Sequence, residues 1–69
     1  MQTVHKTYSV DTAKIGFIRF IFEAYEGVAI ATTLDAKAGL IRLAIPPERL
    51  DTAVQIVDAL KKDFKFDEI

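Results

Sequence analysis

The sequence predicts an α+β fold in which two helices share one face of an antiparallel sheet. Three observations carry that expectation. Apolar residues recur with helical period over residues 15–25, and again over residues 50–64. Before and between those stretches lie short segments rich in Val, Ile and Thr, which suit strands. The order is β-α-β-β-α, and the tail Lys65-Phe66-Asp67-Glu68-Ile69 is either a short fourth strand or a frayed end.

Residues 3–10 alternate, with Val4, Tyr8 and Val10 on one side, and Thr3, His5, Thr7 and Ser9 on the other. Asp11 is a good N-cap for the helix that follows, and Val10 and Ile15 stand where a hydrophobic staple would have its two members. Stepped at about 100° per residue, Ile15, Ile18, Ile21, Phe22 and Tyr25 fall in one sector, opposite Arg19 and Glu23. Phe17, Phe20 and Ala24 widen the apolar surface on one flank, beside Gly16. A helix apolar over so much of its circumference needs more to pack against than one small sheet provides. Glu26-Gly27 closes the helix, with glycine at the left-handed C-terminal position.

Two apolar runs follow, residues 28–34 and 40–45, joined by Asp35-Ala36-Lys37-Ala38 and Gly39 as a hairpin. Matching large side chains across the pair sets Leu34 against Gly39, Thr32 against Ile41, Ile30 against Leu43 and Val28 against Ile45. The opposite face then receives Ala29, Ala31 and Thr33 with Ala44, Arg42 and Leu40. Pro46-Pro47 ends the strand and opens the second helix, whose apolar stripe is Leu50, Ala53, Val54, Val57, Leu60 and Phe64. Glu48 and Asp51 early and Lys61 and Lys62 late suit the helix dipole. The handedness of crossovers makes a ferredoxin-like plait the simplest topology, with the first and third strands central. The expected core is Val4, Tyr8, Val10, Ile15, Ile18, Phe22, Tyr25, Val28, Ile30, Ile41, Leu43, Ile45, Leu50, Val54, Val57 and Leu60.

Sixty-nine residues make one domain, residues 1–69, near the lower size at which a single core suffices. The chain has no cysteine and one histidine, which excludes disulfides, thiol chemistry and multi-histidine metal sites within one chain. Neither a metal nor another cofactor is expected, and the remaining source of support is a second subunit, so a homo-oligomer, a dimer first, is predicted. A net charge of −1 with no basic stripe excludes the electrostatic footprint of a nucleic-acid binder. The first residues lack the apolar run of a signal peptide, and the first helix is too short and too charged to span a bilayer. A cytoplasmic protein without membrane contact is the expectation.

The combination of Asp11, the run Ile15 to Phe22, Glu23-Ala24-Tyr25-Glu26-Gly27, Thr33-Leu34-Asp35, Gly39 and Pro46-Pro47 resembles a family of very short bacterial proteins known as a domain of unknown function. The likeness covers nearly the whole chain, and Glu-x-Tyr-Glu-Gly followed by Thr-x-Asp is its most specific part. It implies a family without implying a reaction. The element order is also similar to that of the ACT regulatory domain, which binds small ligands at subunit interfaces. That likeness is of fold, and fold does not fix function. Where ACT domains often place a glycine after the first strand, this chain has Ser9-Val10-Asp11-Thr12.

Candidate chemistry is sparse. His5 and Ser9 share a face but stand about 13 Å apart along a strand, too far to form a base–nucleophile pair. The candidate ligand set is Glu26, Asp35 and Arg42. Each has a plainer reading: Glu26 as an ion-pair partner of Arg19 or of a neighbouring subunit, Asp35 as the cap of the hairpin loop, and Arg42 pairing with an acid of an apposed subunit or lying across the sheet. Copper-chaperone chemistry lacks its cysteine pair, acylphosphatase-like chemistry lacks its loop arginine, and base stacking lacks aromatics on the open face. The expected function is a non-enzymatic homo-oligomeric interaction or regulatory module, joined through Gly16, Phe17, Phe20, Ala29, Ala31, Thr33, Leu40 and Ala44. Such a module is either regulatory or a scaffold for a separate protein partner; a small-ligand sensor with an ACT-like pocket between subunits is the alternative, and a minor enzyme or enzyme subunit comes last.

Overall fold

The computed structural model describes residues 2–69. The chain forms β1 (Val4–Val10), α1 (Ile15–Ala24), β2 (Ile30–Asp35), β3 (Leu40–Ile45), α2 (Leu50–Lys61) and β4 (Phe66–Glu68). Single 3₁₀ turns at Thr12–Lys14 and Pro47–Arg49 lead into the two helices. The α+β class and the element order agree with the sequence, and the tail is a strand. The sheet runs β2-β3-β1-β4 with every neighbouring pair antiparallel, so the first and third strands are central, as expected.

Local chemistry explains the boundaries. Asp11 Oδ1 accepts from the Ala13 N–H at 3.0 Å, so the expected cap closes the 3₁₀ turn ahead of α1. Gly27, at φ +80°, turns the chain out of α1, and the Val28 N–H donates to Tyr25 O at 3.1 Å. Asp35 Oδ1 accepts from the N–H groups of Lys37 at 3.0 Å and Ala38 at 3.1 Å, which shapes the hairpin loop. Pro47 opens the turn into α2, where its missing N–H is not needed.

The core sits between the helices and one face of the sheet. Ile18 and Phe22 descend from α1, and Ala53, Val57 and Leu60 from α2, onto Tyr8, Val10, Ile41, Leu43 and Ile45. Val28 and Phe66 complete it from the α1–β2 turn and the last strand. Each large side chain so buried contributes roughly 1.5–3 kcal/mol before the cost of ordering it.

Three expected core residues lie outside. Tyr25 is 51% exposed because it is the residue that caps α1: its N–H still donates to Ile21 O, but its backbone (φ −92°, ψ 80°) turns the chain out of the helix, and no further helical turn follows to cover its ring. Val54 is 40% exposed because Ala53, Val57 and Leu60 define the buried stripe of α2 and Val54 stands at its margin. Ile30 is 70% exposed, and its position exposes a register difference.

In β2 the observed partners are Ile30↔Ala44, Ala31↔Leu43, Thr32↔Arg42, Thr33↔Ile41 and Asp35↔Leu40. The expected register is therefore wrong by one residue. Val28 does reach the core, but from the turn held by Tyr25 O, so it does not set the parity of the strand that follows. Leu34 is an extra residue, a bulge between Thr33 and Asp35, and Gly39 lies in the loop instead of pairing with it. Ala29, Ala31 and Thr33 consequently turn half-buried toward the helices and leave the open face, where Ile30 and Thr32 replace them. Leu40, Arg42 and Ala44 stand on the open face as expected.

Candidate functional site

The candidate ligand set does not converge. Glu26 lies exposed in the turn before β2 and Asp35 closes β2 at its far end, so the six strand residues hold them on the order of 20 Å apart. The Asp35 carboxylate is engaged by its own loop. Arg42 alone remains placed for a ligand: it is exposed in the middle of the open face, with Thr7 of β1 and Thr32 of β2 directly across from it.

The rest of that face follows from the registers. His5 stands opposite Ala44, while Ser9 faces Leu40 on one side and Asp67 on the other. His5 and Ser9 are four residues apart on β1, which keeps them from forming a catalytic pair. At one end of the face a shallow hollow of about 310 Å³ is lined by Gly27, Ala29, Ile30, Ala44 and Pro46.

The helical side carries the larger concavity. A groove of about 370 Å³ runs between α1 and α2, lined by Ile21, Tyr25, Thr52, Gln55, Ile56, Ala59 and Leu60, none of them charged. Its α1 wall continues outward into Phe17, 47% exposed, and Phe20, 64% exposed. The Phe17 and Phe64 rings meet edge-on at 6.2 Å, and Lys14 Nζ lies 5.9 Å over the Phe64 ring. From Phe64 the aromatic row passes to Phe66 at 6.4 Å and to Tyr8 at 4.9 Å, joining the surface to the core.

Phe17 and Phe20 are where the sequence sets them, on the flank beside Gly16. The α2 wall is a site that sequence reasoning passed over. Its signal was present: Thr52, Gln55, Ile56 and Ala59 repeat at helical spacing as an uncharged stripe beside the buried one.

Electrostatics concentrates at the β1–β4 edge. Lys6 Nζ and Glu68 Oε2 form an ion pair at 3.2 Å. Burial raises the Tyr8 hydroxyl to a pKa of about 12, helped by the negative charges of Glu68 and Asp58. No helix among the described residues is long and apolar enough to cross a membrane.

No curated protein and no solved structure shows significant similarity to the chain. The family model described as a domain of unknown function (DUF4911) matches residues 8–63, which takes in the end of β1, both helices and the hairpin. The chain belongs to the DUF4911 family.

Proposed function

We propose that this chain is a non-enzymatic, self-associating interaction or regulatory module built on a ferredoxin-like plait. The alternation of strands and helices, with the first and third strands central, supports the plait. One observation carries the self-association: the uncharged helical surface formed by Phe17, Phe20, Tyr25 and the adjoining groove. Contiguous apolar patches of more than a few hundred Å² mark interaction sites, and a two-fold contact lets one patch serve both partners. Sedimentation equilibrium at micromolar concentration tests this reading. The parent chain is expected to be oligomeric, and Phe20→Glu is expected to lower the order of the assembly. A monomeric parent removes the proposal.

Arg42 supports a second reading, a small-ligand sensor that takes an anionic group. It stands exposed between two threonines, and among the described residues it has no acidic partner within ion-pair distance. A thermal-shift screen against carboxylate and phosphate metabolites is the check. A stabilisation that disappears in Arg42→Ala favours the sensor, and no shift with any of these metabolites discards it.

A further inference from the structure

β2 is an edge strand: it pairs with β3 alone. Edges of this kind are normally blunted by lysine, proline, a central bulge or a covering segment. The stretch Ile30-Ala31-Thr32-Thr33-Leu34 has no charge and no proline, and its bulge comes only at the end, at Leu34. Its two large side chains are exposed, Ile30 at 70% and Leu34 at 47%. An unpaired backbone edge beside two uncovered aliphatic side chains is a surface made for another strand.

We propose that the occupant is β2 of a second copy, paired antiparallel about a two-fold axis at Thr32. The inference rests on the self-association reading and names a contact that the apolar helical surface does not supply. Centring the axis on Thr32 brings Ile30 alongside the partner copy's Leu34, the bulge residue that ends the regular strand, and the reverse, so the two exposed aliphatic residues come within reach of each other. Ala31 and Thr33 then pair on the helix-covered side, and Thr32 meets its own copy, a favourable pairing of β-branched residues. The outcome is a continuous eight-stranded sheet with all four helices on one face.

The charges on α1 fit the same symmetry. Ile21 and Tyr25 line the groove toward α2. Arg19 precedes Ile21 by two residues and Glu23 follows it by two, about 200° round the helix either way, so both face away from α2, over the β2 side. Both are exposed, and neither forms an ion pair among the described residues. A two-fold axis through Thr32 runs the partner's α1 in the opposite direction. Arg19 of each copy then approaches Glu23 of the other, a complementarity that a parallel arrangement would lack.

The absence of cysteine in the chain makes the test direct. A cysteine at the axis position faces its own copy at the Cα spacing of a strand pair, about 4.5–5.5 Å, within reach of a disulfide. Thr32→Cys should therefore cross-link to a covalent dimer under mild oxidation at micromolar concentration. Lys61→Cys, exposed at the end of α2 and outside both the groove and the β2 edge, should cross-link much less. Arg19→Glu should weaken association about tenfold in sedimentation, and the double variant Arg19→Glu with Glu23→Arg should restore it. Neither surface substitution threatens the fold. A parent oligomer that leaves Thr32→Cys uncross-linked and is indifferent to Arg19→Glu overturns the β2 contact while leaving self-association intact. A monomeric parent overturns both.

Discussion

Val10 and Gly39 lock the first strand to the hairpin. The Val10 N–H donates to Gly39 O at 2.7 Å, and a Cβ at position 39 would overlap Val10 O. Gly39 also sits at φ +71°, in the left-handed region that side chains disfavour. Gly39→Ala is therefore expected to cost about 3 kcal/mol or more, because the obstacle is backbone and cannot swing away. Gly27, at φ +80° with open space around it, should lose only about 1–2 kcal/mol on the same change. Urea unfolding of the two variants measures the gap, and equal losses would show that the contact with Val10 is unimportant.

Phe22 and Phe66 are each 1% exposed, yet one comes from the aromatic-rich first helix and the other from the three-residue last strand. Alanine at either position should cost about 3–5 kcal/mol, enough to unfold much of so small a domain. Phe20→Ala, at a site 64% exposed, should change monomer stability by less than about 0.5 kcal/mol. A Phe66→Ala variant that melts with the parent would detach β4 from the core.

Tyr8 gives the fold an alkaline limit. Its hydroxyl is raised from 10.0 to about 12, first by burial and then by Glu68 and Asp58, so the folded state favours the protonated form. The associated stability is complete below pH 10 and is lost as pH rises toward 12, by on the order of 1–2 kcal/mol once solvent screening is allowed for. Tyr8→Phe should flatten that part of the stability profile. A profile that falls equally steeply in the variant assigns the loss to other groups.

Gly16 has no packing reason within one chain, since an added Cβ meets nothing within 4 Å. Gly16→Ala should stabilise the monomer by about 0.5–1 kcal/mol through helix propensity. If the same change weakens association in sedimentation, the glycine serves a close approach by another subunit.

The features that were legible in the sequence are those set by neighbours along the chain. Asp11 caps, Gly27 terminates, Asp35 shapes its loop and Pro47 opens a helix, each through chemistry within a few residues. The β2 register was not legible, because it depends on how the turn after α1 hands over to the strand. Val28 satisfies the core from that turn, which frees Ala31 to lie under α1 and sends Ile30 outward. A pattern of large residues at positions 28, 30, 32 and 34 cannot distinguish that arrangement from a regular strand. For the candidate site, Arg42 stands on the open face where expected, whereas Glu26 and Asp35 are parted because the chain between them runs out as an extended strand with one residue before its start and the other at its far end. Phe66 was overlooked because a three-residue strand carries almost no periodic signal.

The sheet order also dictates a timetable. Fourteen residues separate Ile30 from Ala44, but fifty-six separate Val10 from Phe66. Loop closure favours the nearer pairing, so the β2–β3 hairpin assembles early and β4 seals the far edge of β1 last. Interactions made after the rate-limiting barrier slow unfolding without hastening refolding. Stopped-flow measurements on Phe66→Ala should therefore show a refolding rate close to the parent's and an unfolding rate raised at least a hundredfold, making this short strand the latch that sets the lifetime of the folded chain.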